Sequence, residues 1–153
     1  MTPEQQVNDL ESYVAPLGFT LSHQSRDLAL SWETLGAEAN QSPGYAVVLP
    51  CFLAKLPALC SLVLRKDGDP DTAIAILKRD LRSKKQFDEY SVDGDSYSDG
   101  EFRGGFRGQL VDYSISSARR HGRTEIQPLD FLEGYLDAHD ETFPPLDNSS
   151  WAD

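Results

Sequence analysis

The pattern of apolar and polar positions is clearest between Leu110 and Asp137. It predicts a long amphipathic helix, a break at Gly122, a tight connection, and a second helix opened by Pro128, whose missing N–H costs nothing at a first helical position. A helix is also expected at the N-terminus. Thr2, Pro3 and Gln5 have the form of a capping box, and Val7, Leu10, Val14 and Leu17 recur on one face until Pro16 and Gly18 end it. The following segment supports two readings. Phe19, Leu21 and His23, then Leu28, Leu30 and Trp32, alternate as a hairpin around Gln24–Asp27 would. Leu28, Trp32, Leu35 and Ala39 also share a helical face in a run rich in helix formers, and the helix is the favoured reading.

Leu49–Arg65 is the most apolar run and is expected at the centre of the core. Pro57 inside it should divide it into two short helices. Asp69 and Pro70 cap and open another helix, with Ala73, Ile74, Ile76, Leu77 and Leu81 on its buried face. From Lys84 to Gly108 periodicity gives way to acids, serines and glycines, the composition of a linker or long loop. The final ETFPPLDNSSWAD suggests an extended tail whose Phe143, Leu146 and Trp151 fold back. The expected fold is all-α: a single domain, 1–153, with a first helical half (1–83), a linker (84–108), a second helical half (109–140) and a tail (141–153). The alternative is α+β, with a short antiparallel sheet from residues 18–33 and 45–49.

A 153-residue chain with 39% hydrophobic residues suffices for one core. Its formal charge of −11 argues against direct nucleic-acid binding, which needs a basic surface. No signal-like or membrane-length apolar run occurs, so a cytoplasmic protein is expected. Cys51 and Cys60 lie in the apolar run, where buried thiols are expected.

Few local patterns suggest chemistry. Asp67, Asp69 and Asp71 start like a calcium loop, but Thr72 and Lys78 stand where the turn glycine and bidentate glutamate belong, so a helix-capping turn is the better account. Asp93, Asp95 and Asp99 read as solvated linker acids. Phe102–Gly108, FRGGFRG, has the form of one RGG-box fragment. Arg119, Arg120 and Arg123 are candidates for an anion contact, against the simpler reading that they complement the negative end of the helix before Gly122. His23, His121 and His139 lack metal-ligand spacing. No motif for an activated nucleophile or a phosphate loop is present. No catalytic residue, metal or cofactor is therefore expected, and a hydrolase or transferase of dispersed acids has no motif behind it.

Leu110–Asp137 resembles one repeat of the Clp N-terminal domain, the substrate- and adaptor-binding module at the head of Clp unfoldases. Ala118-Arg119, Gly122, Ile126 and Phe131-Leu132 occupy the family's Ala-Arg pair, glycine, β-branched residue and second-helix start without a gap. The resemblance implies an internal duplication. In the first half, Leu28–Asn40 would be the first helix, Tyr45 and Val47 the connection, Phe52-Leu53 the second helix, Leu59–Lys66 the third and Asp71–Leu81 the fourth. The chain departs from the family where Leu129 and Asp130 replace the usual Glu-His, which removes the basis for recognising phosphorylated arginine through that Glu. Pro50 and Cys51 stand at the matching places of the first half, Pro144 and Pro145 interrupt the later helices of the second, and the ATPase portion does not occur in these 153 residues.

The resemblance implies a noncatalytic protein- or peptide-binding module acting as adaptor, decoy or regulator. Phe102, Phe106, Tyr113, Leu129 and Tyr135 are the partner-contact candidates, each a large apolar or aromatic residue near a helix start or surface. The charge supports a different class, an acidic inhibitor, such as an immunity or phage anti-defence protein, that covers a basic nucleic-acid-binding partner.

Overall fold

The computed structural model describes residues 2–40, 43–58, 60, 97 and 106–142. They form α1 (Pro3–Val14), a 3-10 turn (Ala15–Leu17), β1 (Thr20–Leu21), α2 (His23–Glu38), α3 (Tyr45–Lys55), α4 (Phe106–Arg120), β2 (Glu125–Ile126) and α5 (Pro128–Thr142). The expected helix from Asp69, the acidic motifs at 67–71 and 93–99, Phe102, the run Leu59–Lys66 apart from Cys60, and the tail from Phe143 lie outside the described residues.

The capping box at Thr2 forms as expected: its hydroxyl accepts from Gln5 N at 3.2 Å and Gln5 Oε1 accepts from Thr2 N at 2.8 Å. Val7, Leu10 and Val14 are buried, while Leu17 is exposed because the 3-10 turn rotates it off the helical face. Ser22 caps α2, its hydroxyl accepting from Ser25 N. That cap starts the helix at His23, so Gln24–Asp27 is its first turn. The antiparallel sheet over 18–33 and 45–49 does not form. The extended pair Thr20–Leu21 instead runs parallel to Glu125–Ile126, in register Thr20 with Glu125 and Leu21 with Ile126.

The order helix, glycine, strand, helix therefore occurs twice, as α1–Gly18–β1–α2 and α4–Gly122–β2–α5. The two turns share one hydrogen-bond pattern. Gly18 N donates to Ala15 O and Phe19 N to Val14 O; Gly122 N donates to Arg119 O and Arg123 N to Ala118 O. This is the Schellman closure, and both glycines hold the left-handed φ it needs, 90° and 69°. Two expectations of the first half are thereby corrected. Tyr45 and Val47 are not a connection but lie in α3, which begins at Tyr45. The counterpart of the Gly122 turn is Gly18, nearer the N-terminus.

Helix α3 carries Pro50 on its exposed side and stops at Lys55. Leu56 leaves helical φ and ψ, at −133° and 48°, as the residue before Pro57 tends to. Helical backbone resumes at Pro57 and Ala58, so the expected division at Pro57 is observed. Helix α4 begins at Phe106, within the segment expected as linker. Phe106 packs edge-on to Tyr135 at 6.3 Å and Arg107 is buried against Glu33, contacts that draw this end of the segment into the core.

The core lies where α2, α3, α4 and α5 meet. Trp32 stands edge-on to Phe131 at 5.1 Å and tilted to Phe52 at 6.1 Å, and Phe52 is edge-on to Tyr135 at 5.3 Å. Helices α4 and α5 approach so closely that a Cβ on Gly134 would come within 2.8 Å of Ser114 N. Among the described residues, no helix is long and apolar enough to cross a membrane.

Candidate functional site

Helix α2 has two faces with different fates. Leu28, Ala29, Trp32, Glu33 and Gly36 are buried in the core. The opposite stripe of Asp27, Leu30, Ser31, Thr34, Leu35 and Glu38 forms one wall of an open groove of about 590 Å³, whose other wall is Pro50, Cys51, Ala54 and Lys55 of α3. Leu35 is 37% exposed, one of two markedly exposed large apolar side chains among the described residues, with Leu17. The expectation that Leu35 and Ala39 share the buried face fails because the core stripe steps from Leu28 through Trp32 to Gly36, leaving Leu35 at its edge. A second hollow of about 440 Å³ shares Leu30 and Thr34 with the groove and extends it to Thr2, Pro3 and Glu4. The walls are thus apolar at Leu30, Leu35, Pro50 and Ala54, with three acids, Glu4, Asp27 and Glu38, and one base, Lys55.

Cys51 lies buried beside this groove. Burial raises its thiol pKa, partly opposed by the nearby Ser31 side chain and by the charge of Lys55. Cys60 is pushed up to about 11 by burial. Both are free thiols, and neither has the lowered pKa of a reactive cysteine.

A polar seam joins α4 to α5. Ser117 Oγ lies 2.7 Å from both Asp130 Oδ1 and Glu133 Oε1. Arg123 Nη2 donates to Asp130 Oδ1 at 2.6 Å, Gln127 N donates to Asp130 Oδ2 at 2.8 Å, and His121 Nε2 is 3.0 Å from Glu133 Oε1. Burial alone would raise the Glu133 pKa, but the bonds from Ser117 and His121 and the charges of His121 and Arg120 outweigh it and hold the carboxyl low. The donor atoms of His121, Asp130 and Glu133 lie within 4.8 Å of one another. Both oxygens of Asp130 are already engaged, however, and the Arg123 guanidinium beside Oδ1 would repel an ion. The seam does not have the order of a nucleophilic triad either. Carboxylates, not the imidazole, touch the serine hydroxyl, and a carboxylate held low is a weak base.

A third polar group is buried entirely. Arg107 grips Glu33 with two bonds, Nε to Oε2 at 2.9 Å and Nη2 to Oε1 at 2.6 Å, both side chains 2% exposed. Tyr97 donates to Glu33 Oε2 at 2.5 Å and accepts from Trp32 Nε1 at 2.8 Å. Burial, reinforced by the Glu33 charge, holds the Tyr97 phenol well above its usual range despite Arg107. This network ties Tyr97 to α2 and α4, and all four of its side chains are buried.

The residues singled out in the sequence are dispersed. Phe106 and Tyr135 are core residues in contact with one another, so they are not surface anchors. Tyr113 and Leu129 are partly buried against the core. Arg119 stacks over Phe19 at 5.4 Å, Arg120 lies 3.6 Å from Asp137, and Arg123 is taken by Asp130, so the three do not converge. Arg107 of the RGG-like fragment is buried in its ion pair rather than presented to phosphate. Sequence reasoning missed the groove. Its signal was a second stripe on α2, at positions 27, 30, 31, 34, 35 and 38, that mixes leucines with acids. No family model, no curated protein and no solved structure matches this chain.

Proposed function

We propose that this chain is a noncatalytic protein- or peptide-binding module, comparable to the N-terminal domains of Clp unfoldases and acting as adaptor, decoy or regulator. The observation that carries it is the α2–α3 groove: an exposed leucine, a proline and an alanine on a surface turned away from a core already filled by Trp32, Phe52 and Phe131. Apolar area left in a concave surface gains free energy when a partner covers it. The twofold occurrence of helix, Schellman glycine, strand and helix is what a duplicated module would produce. The binding residues on this reading are Leu30, Leu35, Pro50 and Ala54, in place of Phe106 and Tyr135.

Selection of peptides from a random display library on the intact protein, followed by mapping with nuclear magnetic resonance, tests this. Selected peptides should perturb residues of α2 and α3 around the groove and lose binding to Leu35→Asp. Enrichment of no sequence, or of peptides indifferent to that substitution, would overturn the reading.

The charge of −11 favours a second reading, an acidic inhibitor that covers a basic nucleic-acid-binding partner. Such a complex would dissociate as salt rises, because exposed charges are screened. An apolar groove would hold its ligand at moderate salt.

A further inference from the structure

We infer that the occupant of the groove is a cationic amphipathic helix, whose apolar stripe lies on Leu30, Leu35, Pro50 and Ala54 while its lysines or arginines face Glu4, Asp27 and Glu38. The inference rests on the groove being the binding site, as proposed above, and adds the partner's chemistry.

The shape of the walls argues for a helix. Both are helix surfaces, so most of their backbone N–H and C=O groups are engaged within α2 and α3, and Pro50 has no N–H to offer. Ser31, whose side chain lines the α2 wall, already donates to Leu28 O at 2.6 Å. An extended peptide would find no backbone ladder there. A helix satisfies its own backbone and needs only side-chain contact from the groove. The dimensions agree: Asp27 and Glu38 stand three turns apart on α2, about 16 Å at 1.5 Å per residue, the span of a short helix.

The charges argue for a cationic one. Glu4 lies in the adjoining hollow, and Asp27 and Glu38 line the main groove, with Lys55 as the single opposing charge among the described lining residues. His23 lies 3.4 Å from Asp27, but both are largely exposed and the imidazole adds charge only when protonated. With −11 on the whole chain, an acidic helix would be repelled at long range as well as at the rim.

The test uses three synthetic peptides of about 14 residues, long enough to span the groove as helices. The first carries leucines at i, i+3, i+4 and i+7 among lysines, the second replaces each lysine with glutamate, and the third keeps the composition of the first with the leucine period broken. Binding to the full chain is read by fluorescence anisotropy. The first should bind on the order of tenfold or more tighter than either other. The double substitution Asp27→Lys with Glu38→Lys should reverse the preference between the first two, with the helical circular-dichroism spectrum unchanged because both positions are exposed. Equal binding of the glutamate peptide, with both peptides lost on Leu35→Asp, would overturn the charge assignment while leaving the groove intact. Equal binding of the third peptide would overturn the helical assignment. Binding of all three that ignores Leu35→Asp would overturn the groove itself.

Discussion

Glu33 is a carboxylate placed 2% exposed in the core face of a helix, and only its partners make that tolerable. Three bonds reach it, two from Arg107 and one from Tyr97, and Trp32 Nε1 in turn donates to the Tyr97 phenol oxygen. Glu33→Ala would strip Arg107 of the carboxylate that compensates its buried charge, with an expected cost of about 3–5 kcal/mol. Replacing both partners, Glu33→Leu with Arg107→Met, should cost clearly less than the sum of the single changes, because no uncompensated charge is left inside. Denaturant unfolding of the two single variants and the double variant measures the coupling, and additive losses would show that the pair is not acting as a unit. None of this was legible in the chain. A buried acid leaves no periodic trace, and its arginine lies 74 residues away in a stretch whose glycines suggest a linker. The same blindness hid His121, Asp130 and Glu133, which meet only once the Gly122 turn folds α5 back on α4.

At the scale of elements the chain is far more readable, because caps and breakers act locally. Thr2 with Gln5, Pro16 with Gly18, Pro57, Gly122 and Pro128 each start or stop a helix where stereochemistry requires it. The ambiguous segment after Gly18 is resolved by Ser22, whose cap on Ser25 N begins the helix at His23, before the apolar spacing from Leu28 makes it evident. What local rules do not reveal is which face turns inward: Leu17 and Leu35 keep the helical spacing and still lie exposed. Two glycines separate local from tertiary requirements. Gly122→Ala meets open space and loses only the left-handed φ, so about 1 kcal/mol is expected. Gly134→Ala sits in ordinary helix but drives a Cβ into the backbone of Ser114, so α4 and α5 must separate and the loss should be several-fold larger. Thermal melts of the two variants rank them, and a smaller loss for Gly134→Ala would mean that the two helices can yield.

For the whole molecule two electrostatic effects oppose each other as pH falls. With a formal charge of −11 the folded chain repels itself, and protonating exposed carboxylates on the way down to a pI near 4.6 relieves that repulsion and favours the compact state. Glu133 acts in the other direction. Its folded pKa lies below the ordinary value of 4.5, so it binds its proton more readily when unfolded. The stability it contributes is fully present above that ordinary value and is lost as pH falls through the lower, folded one. The melting temperature should therefore rise on moderate acidification, pass a maximum, and fall once the bonds of Glu133 to Ser117 and His121 are titrated away. Glu133→Gln keeps an acceptor oxygen for Ser117 but cannot titrate. It should melt lower than the parent at neutral pH and converge with it at the acid end, because the parent has by then lost the same charge. Melting curves of both proteins across this range decide the matter. Parallel profiles that never converge would assign the acid limb to other carboxylates and leave the α4–α5 seam as hydrogen bonding that does not respond to pH.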